Sequence, residues 1–488
     1  MPELSYFRRG FMKVPISGLF IGLLFSYQST AQEMLGISNS NFAGQMGIYL
    51  NPSSIALAPY KHEIHALSLD AFADNNYVYL KQNSGVIRRT IAGENIPDDR
   101  ILDYYDKKNK RGYAGGHLTG PAYIKVNEKY SWGAHIAWRS GNSGTDVPYH
   151  LAKFLYEGFS YSPQHNIRYT SGPWRAAAAG WLEIGGTYAR QLSATNENES
   201  VWKAGVSGTF NMGSYGIYIN SKSIDYIVPA SDLLIVNNWD VEYGHTVPND
   251  REEIIREMFK IKGIGARGSL GITYINDLNR PAYDCYDAAD GLKKYNYRLG
   301  FSVIDVGFYK NKADGTKKLL INNKSAYWPG IDTVKFLSWF YIDTLTSNKF
   351  LGKPFASIVE KEFVMFTPAA ASFQFDYCLA PRWYLNATVV HPIPYHYKVP
   401  RRPAQIAITP RFEKRKFEIS MPVVLFEFKN PTVGLAIRKG IFVIGTDRLP
   451  FYTGLVNSTG FDFFLGLKWQ SCGREFNKKR MKKGLCPV

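Results

Sequence analysis

Apolar and polar residues alternate along most of this chain with a period of two. Leu118, Gly120, Ala122, Ile124 and Val126 share one face of a candidate strand. After the polar turn 127–129, Trp132, Ala134, Ile136 and Trp138 share one face of a return strand, with Gly133, His135 and Arg139 opposite. Alternation on both sides of a short polar turn predicts an antiparallel hairpin. The pattern recurs at Leu182–Tyr188 with Trp202–Val206, at Ile264–Tyr274, at Tyr295–Val303, at Phe373–Tyr377 with Trp383–Val389, and at Phe461–Trp469. Short alternating strands of this kind come to about fifteen, and single-chain membrane barrels favour even numbers. The expected fold is all-β: a transmembrane antiparallel β-barrel of about 14 strands, within a range of 12–16.

Two segments break the alternation. Asp250 and Glu253 form a capping box ahead of Ile254, Ile255, Met258 and Phe259, which predicts a short helix over 251–261. A second helix is expected over 332–342, with Val334, Phe336, Leu337 and Phe340 on one side. Both fall in long segments between strands, where a barrel carries loop helices.

The long apolar run, Val14 to Phe25, is too short for a membrane-spanning helix, which needs about 20 residues. Arg8, Arg9 and Lys13 precede it and Ser29-Thr30-Ala31 follow it, the layout of a secretory signal peptide over 1–31. Export and alternation together point to the cell outer membrane. The remaining divisions expected are an N-terminal lead-in or hatch over 32–62, the barrel over 63–469, and a basic periplasmic tail over 470–488.

Composition sharpens this picture. Aromatic residues make up 15% of the 488, with 33 Tyr and 30 Phe. Aromatic girdles at both interfaces of a membrane barrel account for such an excess, and Trp132, Trp138, Trp383 and Trp469 are the candidate interface anchors. The formal charge is +17, part of it in the tail residues Arg474, Lys478, Lys479, Arg480, Lys482 and Lys483. In an exported chain this basic balance reads as contact with anionic lipid head groups or an acidic envelope protein, and no nucleic-acid partner is expected. Four cysteines are too few for a disulfide scaffold, and Cys472 with Cys486 is a candidate disulfide across the tail.

Catalytic chemistry finds little purchase. Gly263-Ile264-Gly265-Ala266-Arg267-Gly268 matches G-x-G-x-x-G, but that motif needs a strand before it and a helix after it. Here a predicted helix precedes it and strand alternation follows, so the glycines read as part of a barrel wall. His62 with His65 and His391 with His396 are the close histidine pairs, and neither has a metal-ligand constellation. The expectation is a non-enzyme with no catalytic residue, cofactor or metal. The segment 41–56, NFAGQMGIYLNPSSIA, is the sharpest functional hint: Asn51 and Pro52 make a turn that Asn51 can fix by bonding its own downstream backbone. Asn51, Pro52, Ser53 and Ser54 are therefore the candidate hatch or ligand residues.

Met46-Gly47 followed by Asn51-Pro52-Ser53-Ser54-Ile55-Ala56 resembles the MG…NPA signature of PorV-like and FadL-like outer-membrane barrels. Tyr60-Lys61 with Leu67-Ser68-Leu69-Asp70, the stretch Gly263 to Tyr274, Arg298 to Gly307, and Gly445-Thr446-Asp447 ahead of Phe461 to Trp469 resemble more closely an uncharacterised Bacteroidota outer-membrane barrel family. The FadL-like resemblance implies a lumenal hatch in a fourteen-stranded barrel that passes hydrophobic small molecules. The PorV-like resemblance implies a partner in secretion machinery. Two departures bear on this: Ser53 stands where the signature has Ala, and a basic tail follows Trp469. Two functions stay open, a passive channel for hydrophobic or amphipathic small molecules, and a non-transporting scaffold or adaptor for secretion, motility or envelope machinery. The first expects an apolar lumenal pocket near the hatch; the second expects a filled lumen and a protein partner.

Overall fold

The computed structural model describes residues 33–56, 58–127, 129–194, 200–246, 260–276, 295–313, 315–334 and 339–471. The expected signal segment over 1–31, residues 251–259 of the helix expected over 251–261, and the part of the expected tail with Cys472 and Cys486 lie outside them. The described chain closes into a 14-strand antiparallel barrel. Its strands are β1 (His62–Asn75), β2 (Lys110–Val126), β3 (Tyr130–Val147), β4 (Arg168–Ser171 and Trp174–Ala194) and β5 (Val201–Ala230). Then come β6 (Leu233–His245 and Gly263–Asn276), β7 (Tyr297–Asn311 and Lys317–Pro329) and β8 (Ile358–Glu360, Phe363–Phe366 and Ala370–Ala380). The last are β9 (Trp383–Pro392), β10 (Gln405–Lys414), β11 (Phe417–Ser420 and Val423–Phe426), β12 (Asn430–Val433 and Leu435–Lys439), β13 (Phe442–Thr446) and β14 (Gly460–Ser471). Closure comes from β1 pairing with β14, His62 opposite Ser471 and Asp74 opposite Gly460. A closed sheet leaves no unpaired edge, which is what lets strands stand in lipid.

Alternation sorts the side chains. Ile264, Leu270, Phe301, Phe373, Ile408 and Ile444 face outward, while Glu63, Asp70, Glu183, Arg267, Asp305 and Arg411 are buried inside. The wall is uneven in height. β5 is 30 residues long and β13 only 5, against the roughly 9–11 a spanning strand needs. Strands β4 to β8 therefore rise well beyond the membrane at the end remote from His62 and Ser471, here called the far end. There they build a second apolar core around Tyr226, Val236, Val241, Leu319, Ile321 and Trp328.

Helices sit in the segments at the far end: α2 (Val86–Ala92), α3 (Tyr149–Glu157), α4 (Trp339–Leu351) and α5 (Leu449–Thr453); α1 (Gln45–Ile48) lies in the lumen. The helix expected over 332–342 is displaced. Residues Ile331–Thr333 make a 3-10 turn, and α4 runs on from Trp339 to Leu351. Its buried face is mostly polar, Asp343, Thr346, Ser347 and Phe350, so apolar periodicity missed it. Asp343 takes His245 at 3.0 Å and Lys317 at 3.2 Å, which pins the helix to the raised wall.

The first hairpin corrects a second expectation. β2 and β3 pair across 127–129 as expected, and Trp132, Ala134 and Ile136 face outward. On β2 the register shifts between Thr119 and Ala122. The extra residue turns the strand over, so Leu118 faces outward while Ala122, Ile124 and Val126 are buried inside. Residues Gly263 to Gly268 lie wholly within β6 and open no helix.

Candidate functional site: the lumenal plug

The segment ahead of β1 fills the barrel. Residues 33–36 lie at the far end, where Asp447 accepts the backbone N–H groups of Leu35 at 2.9 Å and Gly36 at 3.3 Å. The segment then descends to β1 at the other end. Four apolar footholds hold it: Met34, Ile37 and Met46 against Ala436, Val443 and Phe464; Leu35 against Val424 and Phe426; Leu50 against Ile304 and Val390; and Phe42, Ile48, Ile55 and Tyr60 against Ile124 and Val126. The last of these depends on the β2 bulge, which presents Ile124 and Val126 to the plug.

The candidate residues Asn51 to Ser54 form one motif nearer the barrel end that carries His62 and Ser471. Pro52–Ile55 is a 3-10 turn whose N-cap is Asn51, and the Asn51 carboxamide oxygen accepts Ser53 N–H at 3.0 Å. The Ser53 hydroxyl donates to the same oxygen at 2.7 Å and lies 2.6 Å from the Thr273 hydroxyl of β6. Asn51 Nδ2 donates to Gln374 Oε1 of β8 at 2.9 Å. Thus the hydroxyl by which Ser53 departs from the MG…NPA signature is fully used. Backbone approach needs bare walls at two places: a Cβ on Gly271 would strike the Asn51 carboxamide, and one on Gly205 would strike the Pro52–Ser53 backbone. Ser54 lines a cavity beside the turn.

That cavity is mixed, with Leu50, Ala58, Pro59, Val201 and Ile275 facing it beside polar side chains. It has a volume of about 70 Å³, and its walls include Asn39, Asn41, Asn51, Lys203, Arg298 and Asp376. The transport reading expects an apolar pocket here, and the cavity is apolar over part of its wall and polar over the rest. Among the described residues, no group of three His, Cys, Asp or Glu side chains is arranged to hold a metal.

Two charge networks, neither foreseen from the sequence, tie plug to wall. At the far end Arg402 reaches down from the segment between β9 and β10. It bonds Glu33 of the plug at 2.5 Å and Asp305 of β7 at 2.5 Å. Asp305 also meets Arg139 at 2.8 Å and pairs with Arg267, which meets Glu183 at 2.9 Å. Nearer the terminal end, Arg298 bonds Asp376 at 2.6 Å and the Asn39 carbonyl at 2.7 Å. Arg411 bonds Glu413 at 2.9 Å, Arg438 bonds Glu418 at 3.0 Å, and Ser40 and Asn41 of the plug donate to Glu418 at 2.7 Å and Glu413 at 2.8 Å. In each network the arginines equal the carboxylates in number, which is how buried charge is tolerated. Most of these charges sit at alternating positions on lumenal strand faces, while Glu33 lies in the plug and Arg402 in the segment between β9 and β10, and each partner comes from a remote part of the chain.

The Trp candidates separate. Trp132, Trp383 and Trp469 stand on the outer face near the strand ends at the level of His62 and Ser471, while Trp138 lies six residues further up β3. Trp202 and Tyr274, 5.0 Å apart, belong to the same outer level and were missed as anchors. Cys378 at the end of β8 is disulfide-bonded, and the expected pair Cys472 and Cys486 lies outside the described residues.

A closed barrel with a plug and an apolar exterior defines the class: a transmembrane β-barrel. The chain belongs to a family of unknown function, DUF5723, whose model matches residues 56–447. No curated protein matches it. Among solved structures it is similar to the toluene transporter TbuX of Ralstonia pickettii, at 11% identity and a TM-score of 0.38, covering 88% of this chain and 94% of that one. It is similar also to the Pseudomonas putida toluene transporter TodX, at 8% identity and 0.33, covering 90% and 98%, and to a Pseudomonas aeruginosa FadL homologue, at 9% identity and 0.24, covering 87% and 94%. Likeness at this level transfers no ligand to this chain, whose architecture stands on its own strand pairing.

Proposed function

We propose that this chain is a passive, gated channel of the cell outer membrane for small amphipathic molecules. In this reading the far end faces outside, the strand ends at His62 and Ser471 face the periplasm, and the plug is the gate. One observation carries it: the lumen is closed by the chain's own N-terminal segment, and much of the plug–wall contact is hydrogen bonds and ion pairs. Water can replace such contacts when a segment shifts, whereas a dry core resists separation. The cavity beside Asn51, part apolar and part polar, favours amphipathic solutes over pure hydrocarbons. A disulfide at Cys378 suits an oxidising compartment, and the outward Trp132, Trp202, Trp383 and Trp469 suit a lipid interface.

The four apolar footholds of the plug favour a second reading, a static barrel that serves as a scaffold or adaptor for envelope machinery. In that reading the basic tail 470–488 would meet an acidic periplasmic protein or lipid head groups. Efflux of a small amphipathic dye from proteoliposomes separates the two. The channel reading expects slow efflux from the intact protein and fast efflux when residues 33–50 are deleted. A deletion variant that inserts and heat-shifts normally on a gel yet passes no dye would refute it.

A further inference from the structure

The wall is lowest at β13. Its residues Phe442–Thr446 pair with Leu435–Lys439 of β12 and with Phe464 to Leu467 of β14, and the strand ends there. A tilted strand gains about 2.4 Å of height per residue, so β13 climbs about 12 Å of an apolar band about 25 Å tall. β14 is 12 residues long and climbs about 28 Å. Above Thr446 this leaves a notch between Asn430–Val433 of β12 and the start of β14, at the height of the far half of the band.

Helix α5 fills that notch. It packs beside Asn430–Val433. Phe451 sets its ring 5.7 Å from Phe461, which stands on the outward face of β14, and the Tyr452 hydroxyl donates to the Asp462 carbonyl at 2.7 Å. Arg448, just ahead of the helix, turns the other way and bonds Asp74 of the lumenal face at 2.6 Å. The helix thus stands in the wall where a strand would.

Beyond it the surface stays apolar. Leu455 and Val456 follow the helix, and the Asn83 N–H donates to the Gly454 carbonyl at 2.9 Å, which brings α2 alongside. Ile87 and Ile91 lie one turn apart on one face of α2. Leu455 is 76% exposed, Val456 54%, Ile87 49% and Ile91 82%; among the described residues no large apolar side chains are more exposed than Ile91 and Leu455. An aliphatic group of this kind marks a contact surface. Lys81 and Arg88, both exposed, stand at its margin.

We propose that α5, the turn 454–456 and the Ile87–Ile91 face of α2 seat in the far leaflet of the membrane, at the boundary between acyl chains and head groups. Lipid fits because the apolar exterior of β14 runs into the helix through Phe461 and Phe451, and because the notch lies at the height of that leaflet. The flanking cations suit head-group phosphates. The proposal needs the membrane band and is independent of the channel.

Photocrosslinking of the full-length protein in phosphatidylcholine vesicles tests it. Benzoylphenylalanine is placed at one position at a time and lipid adducts are read by mass spectrometry. Leu270, in the middle of the band, is the positive reference, and Tyr327, exposed high on the tall wall, is the negative one. Leu455 and Ile91 should give adducts at about 5-fold or more the yield at Tyr327 and approach that at Leu270. Val456 and Ile87 give independent readings, and heat-shifted gel mobility confirms that each protein folds. Yields no higher than at Tyr327 would overturn the proposal, as would adducts to a protein in place of lipid when the same positions are irradiated in native outer membranes.

Discussion

Arg402 and Glu33 lie 369 residues apart in the chain and 2.5 Å apart in the lumen. The same guanidinium bonds Asp305, so one side chain ties the far-end segment between β9 and β10, the plug and the wall of β7 into a single latch. Glu33 keeps one other partner, Gln405 Nε2 at 2.9 Å.

Arg402→Ala removes the cation and leaves Glu33 buried without its charge partner. Breaking a buried pair from one side costs about 3–5 kcal/mol, and freeing the top of the plug is the way to recover part of it. The expected outcome is faster dye efflux, with a lower temperature for loss of the folded band on a gel. Arg402→Lys keeps the charge but cannot bridge both carboxylates in the guanidinium's planar geometry, so it should fall between the two. Efflux equal to wild type in Arg402→Ala would show that the latch does not gate.

Asn51 holds the lower end of the plug by a different device. Asn51→Ala removes the cap of the Pro52–Ile55 turn and the bond to Gln374 together, at about 1 kcal/mol for the cap and a similar sum for the hydrogen bond. Ser53→Ala removes only the hydroxyl bonds to Asn51 and Thr273 and should cost less. Hydrogen exchange over residues 50–56 reads both, with Asn51→Ala exchanging faster than Ser53→Ala. The reverse order would mean that the Thr273 contact, and not the cap, anchors the turn.

The barrel was legible because it rests on a local rule, outward apolar residues at every second position, as at Ile264 and Leu270 or Phe373 and Phe375. The Asn51 turn was legible for the same reason, since the cap bonds its own next residues. What failed was non-local or local in an unexpected way. The bulge after Thr119 cannot be seen in an unbroken apolar alternation, yet it moves Ile124 from lipid to lumen. α4 hides because its buried face is Asp343 and Ser347, satisfied by His245 on the wall and Ser357 in the turn ahead of β8. Arg402 looks like one charge among many in a Pro-rich segment, and only closure of the barrel brings Glu33 to it.

α3 should loosen in mild acid. His150 stacks on Tyr169 with ring centres 4.2 Å apart, and its Nδ1 lies 2.8 Å from the Tyr226 hydroxyl. Tyr149 is the other titratable ring against it. Burial lowers the imidazole from 6.5 to about 4. A released helix takes up a proton near pH 6.5 that the docked helix refuses until about pH 4, so docking is strongest above 6.5 and weakens as pH falls through that window. Exchange of the amides 149–157, corrected for intrinsic rate, should rise between pH 7.5 and 4.5 relative to the barrel strands. In His150→Phe that extra rise should vanish; if it persists, another group is responsible.

Depth along the outer wall gives the last test. Leu270 is 63% exposed in the middle of the lower part of β6, and Trp383 is 51% exposed at the start of β9. If the apolar exterior is a lipid face, an arginine at the midplane costs about 2–4 kcal/mol, and one at the interface about 0–1. Leu270→Arg should therefore destabilise the barrel severely and Trp383→Arg only slightly, as measured by urea unfolding in lipid vesicles. In detergent micelles, which let water and head groups reach the side chain, the gap should shrink. Equal costs at the two positions in vesicles would place Leu270 outside the hydrocarbon, and the membrane would then have to cross the taller part of the wall instead.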